Sequence, residues 1–357
     1  MDLKLLFNTS PYSLNKIEKA KFFDSYFNEL TQYHYNNCIQ YKNMMDSIGF
    51  DINTKCNYTE IPFLPVRLFK MFELHSTPME NIIKTMTSSG TSGQAVSKIF
   101  LDKDTSLCQS RVLTKIVSTF LGSKRLPMLI IDSGSILKNR NLLSARGAGI
   151  LGFSVFGTKR IYALNENMEL EIERVREFVD LNQGSRLFLF GFTFMVYKHF
   201  IKELIKLDVK LDLSSAVLIH GGGWKKLINE SVTATEFRNA LQQLCGIKSV
   251  HDYYGMVEQT GSIYMECELG HLHTSVFSDI IIRRSHDFSI AEKGEKGIIQ
   301  ILSVLPKSYP GHSLLAEDEG ILLGEDDCSC GRLGKYFKII GRIKNAEIRG
   351  CSDTNEY

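Results

Sequence analysis

Short apolar runs alternate with amphipathic helical repeats through the middle of this sequence, and few folds satisfy that alternation. Met128-Leu129-Ile130-Ile131-Asp132, Leu187 to Phe190 ahead of Gly191, and Ala216-Val217-Leu218-Ile219-His220 read as buried strands. Ser106 to Phe120 carries Leu107, Val112, Leu113, Ile116 and Val117 on a helical repeat, and Glu169 to Leu181 is a second amphipathic helix. Strands and helices in this order predict an α/β fold with a mostly parallel sheet flanked by helices. Upstream, Ile17 through Met45 has helical spacing, with Phe22, Phe23, Tyr26, Phe27 and Leu30 on one buried face. Pro62 and Pro65 then mark an extended connector. From about Gly294 the pattern changes to short runs between turn residues, Gly297 to Leu302 and Gly320 to Leu323, which predicts a small antiparallel β subdomain. A chain of 357 residues is long for one core. The expected divisions are a helical part over 1–80, an α/β core over 81–293, the β subdomain over 294–340 and a tail over 341–357.

Charge and composition exclude several classes. Lys and Arg total 42 against 40 for Asp and Glu, and no basic stripe stands out, so nucleic acid is not an expected partner. The first residues are too short an apolar stretch for a secretory signal. The strongest apolar run, Leu187 to Tyr197, is broken by Gly191 and Thr193 and is too short to span a bilayer. Eight scattered cysteines read as reduced thiols, which predicts a cytoplasmic location.

Several segments have the residue types that chemistry requires. Thr87-Ser88-Ser89-Gly90-Thr91-Ser92-Gly93 has no side-chain bulk, so its amides and hydroxyls could close around a phosphate; the bland reading is a flexible turn. It is not a Walker loop, because no lysine directly follows a glycine there. In Tyr253-Tyr254-Gly255-Met256-Val257-Glu258 an aromatic face adjoins an unobstructed backbone, and Glu258 could hold a divalent cation. His220-Gly221-Gly222-Gly223 closes a strand; the glycines let backbone approach a nucleotide, and the histidine either lines a pocket or is a satisfied structural group. Trp224 reads as packing, and Phe188, Phe190, Phe192 and Phe194 alternate as a strand should, some toward the core and others away from it. Cys328-Ser329-Cys330-Gly331 can put two thiolates on one metal, with Cys267 and either His271 or His273 offering further ligands; the alternative is reduced thiols in a turn. Cys351, taken by position alone, is a terminal thiol without a role.

Taken in order, these segments resemble the adenylate-forming superfamily, which activates carboxylic acids with ATP. The resemblance makes Thr87 to Gly93 its phosphate loop, with Gln94 where a lysine is common, and Tyr254 to Glu258 its Tyr-Gly-x-x-Glu motif. It gives Asp318 to the ribose hydroxyls, Arg342 to the Gly-Arg motif and Lys344 to the hinge position. Arg342 lies close to the end of the chain, so the superfamily's C-terminal lid domain is expected to be absent. One branch is similar over nearly the whole length: the acyl-protein synthetases of bacterial bioluminescence operons. His220 to Lys225, Tyr309-Pro310-Gly311-His312-Ser313 and Arg349-Gly350-Cys351 carry that likeness. It implies ATP and Mg²⁺, a fatty acid activated as acyl-AMP, acyl transfer to Cys351, and an acyl-reductase partner. Phenylacetate-activating ligases carry a similar Cys-x-Cys-Gly-Arg segment, which implies structural Zn²⁺ on Cys267, His273, Cys328 and Cys330. Two alternatives stand beside this reading: an aryl-acid ligase using coenzyme A or a carrier protein, and a non-catalytic scaffold of degenerate adenylate-forming fold.

Overall fold

The middle of the chain does build a parallel sheet, and the reason is burial on both faces. The computed structural model describes residues 3–88, 96–137, 145–224 and 231–343. They fall into two units, one taking the described residues up to Ile116 and from Gly255 onward, the other Val117–Tyr254. In chain order the strands are β1 (Leu64–Pro65), β2 (Ile82–Thr87), β3 (Lys98–Asp102), β4 (Leu126–Ser133), β5 (Gly157–Leu164), β6 (Leu187–Phe192), β7 (Ala216–Gly221) and β8 (Ser249–Tyr254). They continue with β9 (Tyr264–Glu266), β10 (Leu272–His273), β11 (Ser278–Arg283), β12 (Lys296–Ser303), β13 (Ser313–Glu325) and β14 (Lys335–Arg342).

In the second unit the spatial order is β8-β7-β6-β4-β5, with every neighbouring pair parallel. Every residue of β6 and β7 is buried, which is why both read as unbroken apolar runs. Phe188, Phe190 and Phe192 are therefore all core, and only Phe194, beyond the strand, is half-buried. The helix Ile172–Leu181 buries Val175, Phe178 and Val179, and Phe153 of the helix Ala145–Ser154 stacks on Phe190 at 4.4 Å. The helix Ala234–Cys245 starts with a reciprocal Thr233–Glu236 capping box and stops at Gly246, whose φ of +68° suits glycine.

In the first unit the order β11-β12-β13-β14-β10-β9 is antiparallel, with β1 added parallel to β13. The antiparallel region thus begins at Tyr264, ahead of the expected Gly294. Its long strand β13 shows as a short run in the sequence because the half-buried Glu317, Asp318 and Glu319 interrupt its apolar pattern. The helix Lys16–Asn37 is capped by Asn15 and Glu18 and buries Phe23, Tyr26, Phe27 and Leu30. A buried ion group involves the same helix: Lys19 Nζ lies 3.4 Å and Lys335 Nζ 2.9 Å from the Asp279 carboxylate, to which the Tyr58 hydroxyl donates at 2.8 Å. No helix among the described residues is long and apolar enough to cross a membrane.

Candidate functional site

Within the first unit the candidate residues gather around Glu258. β2 and β3 form an antiparallel pair whose ends are clasped by two serines: Ser88 N–H donates to the Ser97 carbonyl at 3.1 Å, and Ser97 N–H to the Ser88 hydroxyl at 2.9 Å. Thr87 and Ser88 thus stand on an ordered base, while Ser89, Gly90, Thr91, Ser92 and Gly93 lie outside the described residues. The lysine nearest that loop, Lys98, is held by Glu73 at 2.7 Å.

Glu258 sits on the 3₁₀ turn Val257–Gln259 and is 5% exposed. Burial raises its carboxyl above the usual carboxylate range, with the Ser97 hydroxyl beside it but not aligned as a hydrogen bond. The turn is fixed from behind by the Tyr309–His312 segment. Tyr309 donates its hydroxyl to the Glu258 carbonyl at 2.9 Å, and Gln259 donates to the Gly311 carbonyl at 2.8 Å and the Ile301 carbonyl at 3.1 Å. A Cβ on Gly311 would stand 2.2 Å from the Tyr309 ring and 3.0 Å from the Glu258 carbonyl, so only glycine admits this approach. The sequence alone does not tie the Tyr-Pro-Gly-His-Ser segment to the Glu258 turn; a tyrosine two residues before a glycine was the available signal. Asp318 and Arg342 face each other across β13 and β14, with Arg342 Nε 3.6 Å from Asp318 Oδ1. Lys344 and Cys351 lie outside the described residues.

In the second unit His220 is the penultimate residue of β7, buried, with Nδ1 2.9 Å from the Thr193 hydroxyl and 3.7 Å from Asp252 Oδ1. Burial, then the nearby Arg238 and His251, push it down to about 3, so the ring is neutral at neutral pH. Its glycines have separate tasks. A Cβ on Gly221 would meet the Tyr253 ring at 2.4 Å, Gly222 takes φ +73° beside Phe192, and Gly223 has open space. Gly221 thus makes room for an aromatic ring of its own chain. Trp224 packs edge-on against Tyr197 at 5.0 Å, as expected. Tyr254 ends β8, and Gly255 begins the next described segment of the first unit.

The third group is the most sharply built. The donor atoms of Cys267, His273, Cys328 and Cys330 all lie within 4.8 Å of one another. Two turns assemble them: Gly270 N–H donates to the Cys267 carbonyl and Gly331 N–H to the Cys328 carbonyl, with both glycines at φ +80°. Tyr336 stacks on both His271 and His273, at 5.0 and 5.6 Å. Cys330 Sγ is 3.4 Å from His273 Nε2 and Cys328 Sγ is 3.4 Å from His271 Nδ1, but only His273 lies within reach of all three sulfurs, and His271 flanks the group. Burial holds His273 down to about 4, which keeps an imidazole lone pair available, and pushes the Cys328 thiol up to about 12. Three sulfurs and one imidazole nitrogen in a closed group match the donor set of a tetrahedral structural zinc site.

Set against known proteins, residues 2–356 match the sequence model of the family described as "Acyl-protein synthetase, LuxE". The long-chain-fatty-acid–luciferin-component ligase of Aliivibrio fischeri is 24% identical over 360 residues, covering 98% of this chain and 91% of that protein. Its namesake in Vibrio harveyi is 22% identical over 363 residues, with the same coverage. Among solved structures, 2-hydroxyisobutyryl-CoA ligase in its postadenylation state superposes with a TM-score of 0.72 at 14% identity, over 93% of this chain and 69% of that one. Its open conformation, with 2-HIB-AMP and CoA, gives 0.71 over 94% and 77%. The fold is that of this ligase.

Proposed function

The chain belongs to the acyl-protein synthetase family, and on that premise we propose that it uses ATP to activate a long-chain fatty acid and passes the acyl group to its own Cys351. The observation that carries the reading is the Glu258 turn, a buried carboxylate with a raised pKa locked from behind by Tyr309 and Gly311, in a chain matched end to end by one ligase family. A carboxylate is a poor electrophile. Its oxygen attacks the α-phosphorus of ATP, pyrophosphate leaves, and the acyl-AMP so formed has a good leaving group. The thiolate of Cys351 then attacks the acyl carbon, a thioester forms and AMP departs. We assign Thr87 to Gly93 to the phosphates, Asp318 to the ribose hydroxyls, Tyr253, Tyr254, Gly255 and Arg342 to the nucleotide, Lys344 to the hinge, and His220 to Gly223 to the acyl end.

Glu258 suits Mg²⁺, because a buried carboxylate raised by desolvation gains from a hard cation. When bound, the ion would spread the charge that develops on the phosphates. The thioester is what an acyl reductase would consume, and such an enzyme is the partner we assign. Neither the aryl-acid nor the scaffold alternative is favoured by the family match.

Intact-mass spectrometry after incubation with MgATP and tetradecanoic acid tests the reading. The expected result is an acyl adduct that is labile to hydroxylamine and absent from Cys351→Ser. Failure to release pyrophosphate with any of a panel of acids overturns it.

We also assign a structural Zn²⁺ to Cys267, His273, Cys328 and Cys330, on the clustering of their donor atoms. Elemental analysis of protein purified without chelator should find about one zinc per chain. A metal-free protein with unchanged thermal stability would refute it.

A further inference from the structure

Spatial order and chain order disagree at one point in the parallel sheet. The chain runs β4 to β5 in one direction, then returns across β4 to β6 and continues outward through β7 and β8. β4 and β6 therefore flank the reversal, and in open parallel sheets a ligand crevice forms at the carboxyl ends of such a pair. A buried ion pair stands at that place. Asp132 is the penultimate residue of β4, 1% exposed, and Arg146 on the helix Ala145–Ser154 has its Nε 3.1 Å from Asp132 Oδ2. A further Arg146 nitrogen reaches Met195 Sδ at 3.9 Å, in the first turn after β6. Arg146 thus spans the carboxyl ends of both strands that flank the reversal.

The pair is poorly closed for one so buried. Arg146 has only 9% of its side chain exposed, yet its Nε–H is not aligned to any acceptor among the described residues, despite the short distance to Asp132. A thioether is a weak acceptor, and a guanidinium has five N–H donors to satisfy. Leaving such donors unpaired in a buried place is costly. Burial raises the Asp132 carboxyl to about 6, against the lowering effect of Arg146 and the Ser133 amide. Three residues along the same helix, Gly149 would place a Cβ 3.0 Å from the Phe192 ring and 3.8 Å from the Tyr253 hydroxyl. Arg146 and Gly149 lie on one helix face, which meets the carboxyl ends of β4, β6 and β8.

We propose that Arg146 is a substrate-binding residue that receives an oxyanion at the β4–β6 reversal, with Asp132 as the residue that positions it. The oxyanion is either the carboxylate of the acid or a phosphate of the nucleotide, and this assignment rests on the acid-activation reading above. Planar, forked donors favour two-point capture of such oxygens.

Equilibrium dialysis tests this without turnover, using labelled tetradecanoic acid, tetradecanol and ATP with wild type, Arg146→Gln and Arg146→Lys. For Arg146→Gln the Kd for the acid or for ATP should rise at least about tenfold. If the acid is the ligand, the preference for acid over alcohol disappears as well; if a phosphate is, only ATP weakens. Arg146→Lys keeps the charge and loses the fork, so it should fall between. Should Arg146→Gln fail to fold, Arg146→Lys with an unshifted thermal midpoint decides the matter. Wild-type affinity for both oxyanions in that variant overturns the proposal, as does a wild-type protein that binds neither. Pyrophosphate release is measured separately: its absence in a wild type that shows the Arg146-dependent binding would sink the acid-activation reading and leave this assignment standing.

Discussion

Tyr309 and Gly221 show how one atom can hold a site in place. The Tyr309 hydroxyl, wholly buried, donates to the Glu258 carbonyl and lies 3.5 Å from Gln109 Nε2. Tyr309→Phe would strand that carbonyl in a dry interior, so unfolding free energy should drop by about 1–3 kcal/mol. Urea titration measures this, and pyrophosphate release should fall with it because the Glu258 turn loses its support. An unchanged midpoint would show that water takes over the bond. Gly221 is the opposite case, a position where adding an atom does the damage. Gly221→Ala puts a methyl 2.4 Å from the Tyr253 ring, and the ring or β7 must shift. Overpacking of this kind costs about 1–3 kcal/mol. A calorimetric scan of the variant should show the lower midpoint, and a stable variant would mean that the ring turns aside freely.

Among the elements, β4, β6 and β7 were legible in the sequence because burial on both faces leaves unbroken apolar runs, as in Leu187–Phe192 and Ala216–Gly221. β5 and β8 were not, since Thr158, Lys159 and Arg160 in the first half of β5 are exposed and polar, and Asp252, Tyr253 and Tyr254 of β8 are only half-buried. The hairpin of β2 and β3 was hidden likewise, because β2 is largely exposed on both faces. The grouping of Cys267, His273, Cys328 and Cys330 could be read from a Cys-x-Cys-Gly turn and an upstream Cys and His, because short loops fix where such groups meet. Asp132 and Arg146 could not: they meet where the helix that follows β4 packs back on that strand, a contact between two elements that no local pattern encodes. The loops that carry the proposed zinc site give the prediction at this scale. The Cys267 turn is tied by two backbone hydrogen bonds, the Cys328 turn by the one from Gly331, and the Arg332–Glu268 ion pair joins them, with little apolar packing beyond Leu323 and Tyr336. Removing zinc with a chelator, or replacing Cys328 and Cys330 by serine, should lower the thermal midpoint by at least about 5 °C. The chelated protein should recover on adding zinc and the double variant should not; recovery of both would place the stabilising metal elsewhere.

Across the molecule, buried titratable groups make stability depend on pH in a direction that can be worked out. His34, His220 and His312 are buried and neutral; burial is the first cause in each, with His312 and His220 held down to about 3 and His34 also well below its usual value. His34 and His312 stack at 4.8 Å, so a proton on one would face the other. An unfolded histidine titrates near 6.5, so below that pH the unfolded chain takes up protons that the folded chain refuses. Each such histidine removes about 1.4 kcal/mol per pH unit, from about 6.5 down toward its folded value. Asp132 and Glu258 act with the opposite sign. Burial raises both, so their folded forms take up protons first, and stability they withhold at neutral pH returns as pH falls, from about 6 for Asp132. Asp279 enters last. Burial works against its charge, but Lys19 and Lys335 outweigh that and lower it, so its contribution is lost only below the ordinary aspartate range. His199 and the metal-free His273 are lowered by burial as well, so the histidines outweigh the two carboxyls, and the fold should weaken steadily from pH 6.5 to 4. Two variants bracket the account. His312→Asn should flatten the fall by about 1.4 kcal/mol per pH unit, and Asp132→Asn should steepen it by as much below pH 6. Urea unfolding at half-unit steps between pH 7 and 4 measures both slopes, and parallel curves for wild type and His312→Asn would show that His312 is already charged in the folded protein.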